Sequence, residues 1–178
     1  MIDYITTANS VIPNTDAYNV IIDVVPVKEG LPSDSYLWTY REEFKESKKK
    51  IGDITVIKKD GKNIIGLHSV FLNNAGSSVR YKEDEGWMGD SSKEREEYFK
   101  SCMKKLNNFF QTKREEIRIF IPLLMTGYYK DTQKRHLSNL EYFIKYVQPY
   151  LLEKYNWTVH YKQVRRFKSN NIKQVQLK

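Results

Sequence analysis

The residues best placed to do chemistry follow an apolar segment in the second half of the chain. Residues 117–121 are β-branched or aromatic apart from Arg118, and the run stops at Pro122, which predicts a buried strand leading into a loop. In open α/β sheets such loops face the ligand, because unpaired backbone N–H groups point outward there beside helix N-termini. A hydroxyl, a small residue and two flat rings follow on Thr126, Gly127, Tyr128 and Tyr129. The alternative is a simple turn at Gly127, with both tyrosines covering the sheet edge.

A second chemically interesting position lies in the first third of the chain. Residues 18–25 are apolar on both faces and predict a central strand, which Asp23 interrupts. An acid near the carboxyl end of a central strand either lines a ligand crevice or bonds to nearby backbone N–H groups, and the sequence leaves both open. The loop at residues 26–32 follows, and then N-cap candidates at residues 33–35 for a helix with Leu37, Tyr40 and Phe44 on one side.

Familiar catalytic and metal motifs are missing. The sequence contains no P-loop, no G-x-G-x-x-G, no G-x-S-x-G and no H-E-x-x-H pattern. Its histidines, His68, His136 and His160, are far apart and fit no metal spacing, so we expect neither a metal site nor a cofactor. A catalytic group would have to be assembled from separate loops.

The remaining elements position these residues. Two runs at residues 53–58 and 63–70 flank Asp60-Gly61, which predicts a β-hairpin, and residues 73–89 predict a long loop. Ser91 and Glu94 predict the start of a helix whose apolar stripe includes Cys102, which we therefore interpret as a core thiol.

Three further segments complete the expected sheet and its helices. A second capping box, Ser138 and Glu141, predicts a helix carrying Leu137, Leu140, Ile144, Val147 and Leu151. Alternating residues predict an edge strand at residues 2–5 and an outer strand at 157–161.

Composition limits the class of protein. The chain has 178 residues, 40% of them hydrophobic, which fits one domain at residues 1–162 followed by a basic tail at 163–178. It lacks a signal-peptide pattern and a long apolar run, and it has one cysteine, so we expect a soluble, intracellular protein, cytoplasmic or in another internal compartment, without membrane contact. The net charge of +8 favours acidic partners such as nucleotides or nucleic acid.

The order of these elements, with the stretch Gly52 to Lys62 and a loop containing Trp87, resembles a macro domain. The similarity is to the branch that includes terminal ADP-ribose protein glycohydrolase and the antitoxins that remove ADP-ribose from DNA. It implies a three-layer α/β/α fold with a mixed sheet in a single domain. We expect the protein to be a monomer.

The resemblance also implies two ligand loops. One loop, at residues 26–35, would hold the distal ribose and a phosphate, and the other, at residues 124–129, would cradle the diphosphate. The implied ligand-binding residues are Gly30, Leu31, Ser33, Ser35, Leu124, Met125, Thr126, Gly127, Tyr128 and Tyr129.

The chain departs from that family at its functional positions. The adenine-binding aspartate falls on Ala8, and the catalytic lysine and its aspartate partner fall on Val70 and Tyr129. The remaining candidates for catalysis are His68, Asp23 and Asp131, of which His68 has an ordinary pKa near neutrality. A histidine on a strand is also a common structural residue.

Three functions therefore stay open. The first is a module that binds ADP-ribose, a related nucleotide or an ADP-ribosylated macromolecule, with weak or no hydrolase activity. The second is an active ADP-ribosyl hydrolase in which His68, Asp23 or Asp131 is indispensable. The third is a macro-like scaffold for nucleic acid or protein, in which the basic tail and four exposed aromatics make the contacts: Tyr36, Trp38, Tyr128 and Tyr129.

Overall fold

A computed structural model describes most of the chain. The described residues are 1–7, 13–27, 31–45, 50–69, 80–82, 86–88, 92–113, 116–124 and 136–162. The strands among them are β1 (Ile2–Thr7), β2 (Val20–Pro26), β3 (Ile54–Lys59), β4 (Lys62–Ser69), β5 (Arg80–Lys82), β6 (Gly86–Met88), β7 (Arg118–Pro122) and β8 (Asn156–Lys162). The α-helices are α1 (Arg41–Lys45), α2 (Ser92–Phe110) and α3 (Asn139–Tyr142).

Six strands form one mixed sheet in the order β1-β8-β7-β2-β4-β3. Neighbouring strands run parallel except β3, which pairs with β4 in an antiparallel hairpin. The turn between them places Asp60 and Gly61 at φ of 55° and 73°, the left-handed conformation that an Asp-Gly pair accommodates. The predicted hairpin is confirmed, and so are the mixed α/β sheet and the central position of β2.

Each face of the sheet has its own apolar layer. Val20 and Ile22 of β2 face a cluster completed by α2, by residues 143–151 and by Trp157 of β8. Ile21 and Val25, which point the other way, pack with the segment after β2, whose contributions are Tyr36, Leu37, Tyr40 and Phe44. A strand that is buried on both sides favours apolar residues on both faces, which explains why β2 is apolar on either side of Asp23.

Gly66 lets the segment that carries Phe44 approach β4 closely on one face of the sheet. A Cβ atom there would lie 2.5 Å from Cγ2 of Val25 and 2.8 Å from Cε1 of Phe44. Such contacts are too short for real carbon atoms, so only glycine fits between β4 and the segment that carries Phe44.

The helices follow the predicted stripes with differences at their ends. The segment after β2 is a 3-10 turn at Trp38–Tyr40 continued by the short α1, and Leu37, at the N-cap of this turn, makes no side-chain capping bond. Ser138 and Glu141 form the predicted capping box. Beyond α3 the chain continues as a π-helical turn at Phe143–Val147 and a 3-10 turn at Gln148–Tyr150, with Pro149 inside the latter. Ser91 and the side chain of Glu94 lie outside the described residues.

Two sequence expectations were wrong. The strand at 157–161 is not an outer strand, because β8 lies between β1 and β7, and its polar residue His160 is buried beneath the segment after β2. The long loop expected at 73–89 contains the small hairpin β5-β6. Among the described residues, no helix combines the length and the apolar character that crossing a membrane requires.

Candidate functional site

The strands β2 and β7 start side by side and then separate. Their register pairs Val20 with Ile119 and Ile21 with Phe120, and these two fully described strands share no later pair. By contrast, β2 stays paired with β4 through Pro26, and β7 stays paired with β8 through Pro122. The sheet therefore opens between β2 and β7 towards its carboxyl edge.

The chain leaves these two strands on opposite faces of the sheet. The segment after β2 packs on the side of Ile21 and Val25, whereas residues 143–151 after β7 pack on the side of Val20 and Ile22. Such a reversal is the topological switch point at which open α/β sheets bind ligands. We call the space beyond the carboxyl ends of β2 and β7 the candidate crevice.

Asp23 holds the segment after β2 to the sheet through hydrogen bonds. We call this segment, residues 31–45, the wall of the crevice. Its carboxylate accepts hydrogen bonds from the backbone N–H of Val24 at 2.7 Å, from the hydroxyl of Ser35 at 3.0 Å and from the backbone N–H of Tyr36 at 3.0 Å. The residue is only 8% exposed. Of the two roles that the sequence left open, this geometry supports bonding to backbone N–H groups.

A second buried connection links the same wall to the far edge of the sheet. The Tyr36 hydroxyl is hydrogen-bonded to Nδ1 of His160, and Nε2 of His160 lies 2.9 Å from the hydroxyl oxygen of Thr7. The imidazole ring stacks on Phe120 with centroids 5.8 Å apart. Three elements distant in sequence, β1, β8 and the segment after β2, thus meet at one histidine.

The electrostatics of this connection keep Tyr36 neutral. Burial, and then the nearby carboxylates of Asp23 and Asp34, raise the pKa of Tyr36 far above its usual value. A protonated hydroxyl can donate to Nδ1, in which case Nε2 carries the ring proton and donates to Thr7. The prediction that Tyr36 is an exposed stacking residue was wrong, because the ring is buried against Phe120 and His160. Trp38 is half-buried, with the guanidinium of Arg41 over its ring.

His68 lies on β4, away from solvent. Its Nε2 is 2.6 Å from the Thr55 hydroxyl of the neighbouring strand β3, and its carbonyl accepts from the N–H of Gly52. The side chain is 1% exposed. These contacts fit the structural alternative that the sequence left for this histidine, and its proposed role in catalysis stays a prediction.

The predicted ligand residues fall into two groups. Ser35 is buried, and its hydroxyl donates to Asp23 and accepts from the N–H of Leu37. Leu31 is half-buried and Ser33 is exposed, while Leu124 is buried just past β7. The other predicted site residues lie outside the described residues, and they are Gly30, Met125, Thr126, Gly127, Tyr128, Tyr129 and the catalytic candidate Asp131. The prediction that all of these contact a ligand is therefore still a prediction.

Sequence reasoning missed the meeting of Thr7, Tyr36 and His160. No local spacing signals it, since Tyr36 and His160 are 124 residues apart. The available clue was that polar residues interrupt apolar strands near their carboxyl ends, as His160 does. Among the described residues, no group of three His, Cys, Asp or Glu side chains could hold a metal ion.

Comparison with solved structures shows what this architecture is similar to. A macrodomain of Oceanobacillus iheyensis with MES bound has a TM-score of 0.52 at 12% identity, over 96% of this chain and 90% of that one. The Oceanobacillus iheyensis macrodomain with ADP has a TM-score of 0.50 at 13% identity, over 90% of this chain and 83% of that one. At such identities the likeness establishes a macro-domain-like fold, which confirms the predicted resemblance.

A viral structure shares the same fold. The alphavirus chain described as P23pro-zbd has a TM-score of 0.54 at 15% identity over 99% of this chain. This chain spans 24% of that longer one. No curated protein matches the chain in sequence.

A family model matches in sequence over a shorter range. Residues 34–124 match the model described as 6-O-methylguanine DNA methyltransferase, ribonuclease-like domain. The range runs from α1 to β7 and leaves out β1, β2 and β8, whereas the macrodomain likeness takes in nearly the whole chain. The match covers just over half of the 178-residue chain, so the chain belongs to the family that this model describes. The fold of the chain as a whole is macro-domain-like.

Proposed function

We propose that the chain binds ADP-ribose, a related adenine nucleotide or a macromolecule that carries ADP-ribose, in the candidate crevice, with weak or no hydrolase activity. The observation that carries this proposal is the separation of β2 from β7 at a topological switch point. A similar fold in Oceanobacillus iheyensis has been solved with ADP, which supports a ligand of the adenine diphosphate class.

The described catalytic candidates support binding better than turnover. Asp23 is fully engaged by three hydrogen bonds, and His68 is buried beside β3. General acid–base catalysis needs a group within hydrogen-bond reach of the substrate, and neither side chain faces solvent. We therefore place binding before hydrolysis.

Alkyl transfer is not proposed, although the description of the matching family names a methyltransferase. Accepting an alkyl group on sulfur requires a thiolate. Cys102 is the one cysteine of the chain, and its thiol donates to the carbonyls of Asp53 and His68. Burial raises the pKa of Cys102 to about 12, which keeps it a thiol.

Calorimetric titration with ADP-ribose tests the proposal. We expect micromolar binding that changes little between low and moderate salt and that is lost in Gly127→Val, whose melting temperature stays that of the native protein. Absence of heat with both ADP-ribose and ADP would overturn the proposal. Binding of single-stranded nucleic acid that falls steeply with salt and requires residues 163–178 would favour the scaffold function instead.

A release assay separates binding from turnover. The protein is incubated with ADP-ribosylated protein and ADP-ribosylated DNA, and free ADP-ribose is measured. We expect binding with little release. Rapid release that is abolished in Asp131→Asn or His68→Asn would establish the hydrolase alternative.

A further inference from the structure

The strand β7 ends in a proline that lies inside the sheet. Pro122 pairs with His160 of β8 on one side, and β2 is the neighbour of β7 on the other side. Proline has no backbone N–H, so within sheets it is normally confined to edge strands and bulges. Because β7 is an inner strand, the direction in which this N–H is missing decides what Pro122 does there.

Hydrogen bonds at the amino edge show which residues of β7 face β2. The N–H of Arg118 donates to the side-chain oxygen of Asn19, and the Arg118 carbonyl accepts from the N–H of Asn19. Both backbone groups of Arg118 therefore point to β2. Since backbone groups alternate in direction along a strand, those of Phe120 and Pro122 point to β2 as well. The N–H is thus missing on the side of the candidate crevice.

The same alternation identifies the residues of β2 that face β7. Just before β2 the Asn19 carbonyl accepts from Asn63, and just after it the Val27 N–H donates to Ser69. The odd-numbered residues of β2 therefore bond to β4, and the even-numbered residues face β7. Pro26 is even-numbered, so this second proline also lacks its N–H on the side of the opening.

A continued ladder between β2 and β7 would need a donor at residue 122. Ile21 pairs with Phe120, so in the parallel pattern the N–H of Ile22 donates to the Phe120 carbonyl. The next bond would run from the N–H of residue 122 to the Ile22 carbonyl. Pro122 cannot make this bond, because its nitrogen carries no hydrogen. The pairing of the two strands stops at the first bond that the proline would have to donate.

The two groups that would make the following bond have other partners. In a continued ladder the N–H of Val24 would donate to the carbonyl of Pro122. Instead it donates to the Asp23 carboxylate at 2.7 Å, and the Pro122 carbonyl accepts from the N–H of Leu124 at 2.9 Å. The contact with Leu124 joins residues two apart, as in the tight turns found at strand ends. Contacts that are local in sequence therefore satisfy the groups that separation of the strands would leave unpaired.

We propose that Pro122 is a positioning residue that keeps the candidate crevice open, because it withholds the donor with which β7 would continue to pair with β2. This inference rests on the proposed function and adds to it the residue that makes room for the nucleotide. Asp23 and Leu124 support the open form by bonding to the Val24 N–H and the Pro122 carbonyl.

Pro122→Ala restores the N–H and tests the inference by hydrogen exchange and by affinity. In the ligand-free variant the amide of residue 122 should bond to the Ile22 carbonyl and exchange as slowly as that of Phe120. A closed form favoured by one net hydrogen bond should weaken ADP-ribose binding roughly ten-fold, because only the open form binds.

Pro149→Ala is the matched control. Pro149 lies at an exposed position in the 3-10 turn at Gln148–Tyr150, so its replacement should leave affinity unchanged. Both changes remove a proline and so free the unfolded chain equally. Because Pro122→Ala also gains a hydrogen bond, it should melt no lower than Pro149→Ala, although it binds ADP-ribose more weakly. A residue with a merely structural role would lose stability and affinity together.

The exchange measurement needs no ligand, which separates this inference from the proposed function. If native protein binds neither ADP-ribose nor ADP, the proposed function fails, while slow exchange at residue 122 would still show that the proline holds the strands apart. Rapid exchange of that amide would overturn the inference, and so would native affinity in a variant whose amide is protected. A melting temperature of Pro122→Ala well below that of Pro149→Ala would indicate lost packing and would also overturn it.

Discussion

At the amino edge of the parallel strands, side chains and backbone hold β2 to both of its neighbours. Asn19 exchanges two hydrogen bonds with Arg118, through its own N–H and its side-chain oxygen, and its carbonyl accepts from the N–H of Asn63. The Lys62 ammonium donates to the carbonyls of Thr15, Asp16 and Tyr18 at 2.8–3.0 Å. This edge is closed by contacts within the protein.

At the carboxyl edge the same strands are held differently. β2 parts from β7 after Ile21, and the polar side chains Asp23, His160 and Ser69 lie buried around the opening. Asp23 and His160 fasten the wall after β2, whereas Ser69 has no partner among the described residues. Polar groups at the amino edge hold β2 to both neighbouring strands, whereas Asp23 and His160 at the carboxyl edge hold the segment after β2 beside the opening between β2 and β7.

The strongest test of this comparison is Asp23→Ala. The change leaves the N–H groups of Val24 and Tyr36 and the Ser35 hydroxyl without their shared acceptor, so we expect a loss of about 3 kcal/mol in the free energy of unfolding. Urea denaturation followed by circular dichroism measures it. Asp3→Ala, at an exposed position on β1, is the matched control and should change stability by less than about 0.5 kcal/mol. Equal effects of the two changes would contradict a fastening role for Asp23.

Lys62→Met probes the amino edge. Losing three hydrogen bonds to carbonyls should reduce the free energy of unfolding by about 2 kcal/mol, while affinity for ADP-ribose stays unchanged because the change lies at the opposite edge. Lys58→Met, at an exposed position of β3, should change neither quantity. If Lys62→Met lowered the affinity for ADP-ribose, the amino edge would also contribute to binding, and the proposed difference between the two edges would be wrong.

Two tyrosines of one apolar cluster allow a finer comparison. The hydroxyl of Tyr36 bonds to His160 near the crevice, and that of Tyr40 donates to Asp60 at the hairpin turn, at 3.3 Å. Replacement of either by phenylalanine should cost about 1 kcal/mol of stability. Only Tyr36→Phe should weaken ADP-ribose binding, by roughly three-fold, because it loosens the crevice wall. Titration calorimetry measures the ADP-ribose affinity of both variants. Equal affinities would show that the hydrogen bond between Tyr36 and His160 does not position the wall.

The last prediction involves no substitution and concerns the rate at which the Cys102 thiol is modified. Cys102 is buried on α2, and burial raises its pKa to about 12, so the native protein at pH 8 should react with a disulfide reagent far more slowly than the protein in guanidinium chloride. Absorbance of the released thiolate follows the reaction. Rapid reaction of native protein would mean that the opening at the carboxyl edge extends down to α2.

Local chemistry was enough to predict several elements. The Asp60-Gly61 turn, the capping box of Ser138 and Glu141 and the central run of β2 each act over a few residues, and each is present. The position of β8 was not predictable in this way. Alternation at Trp157–Tyr161 indicates that two faces differ, but it cannot tell whether the polar face meets solvent or a buried partner such as Tyr36.

The site was less predictable than the fold for the same reason. Asp23 stood out because it interrupts an apolar strand, yet its partners Ser35 and Tyr36 lie 12 and 13 residues further on and depend on how the intervening loop folds. The meeting of Thr7 with His160 requires the complete order of the sheet. Long-range pairing of this kind is set by tertiary structure, which no local pattern records.

The place of β8 inside the sheet also governs the order in which the fold can form. In the described sheet β1 has β8 as its neighbour and Ile2 pairs with Trp157, so β1 has no partner strand until β8 has been synthesised. Until then one edge of β7 stays unpaired and open to other chains. Contacts so distant in sequence slow folding, which makes closure of β1 onto β8 the step at which a growing chain is most exposed to aggregation.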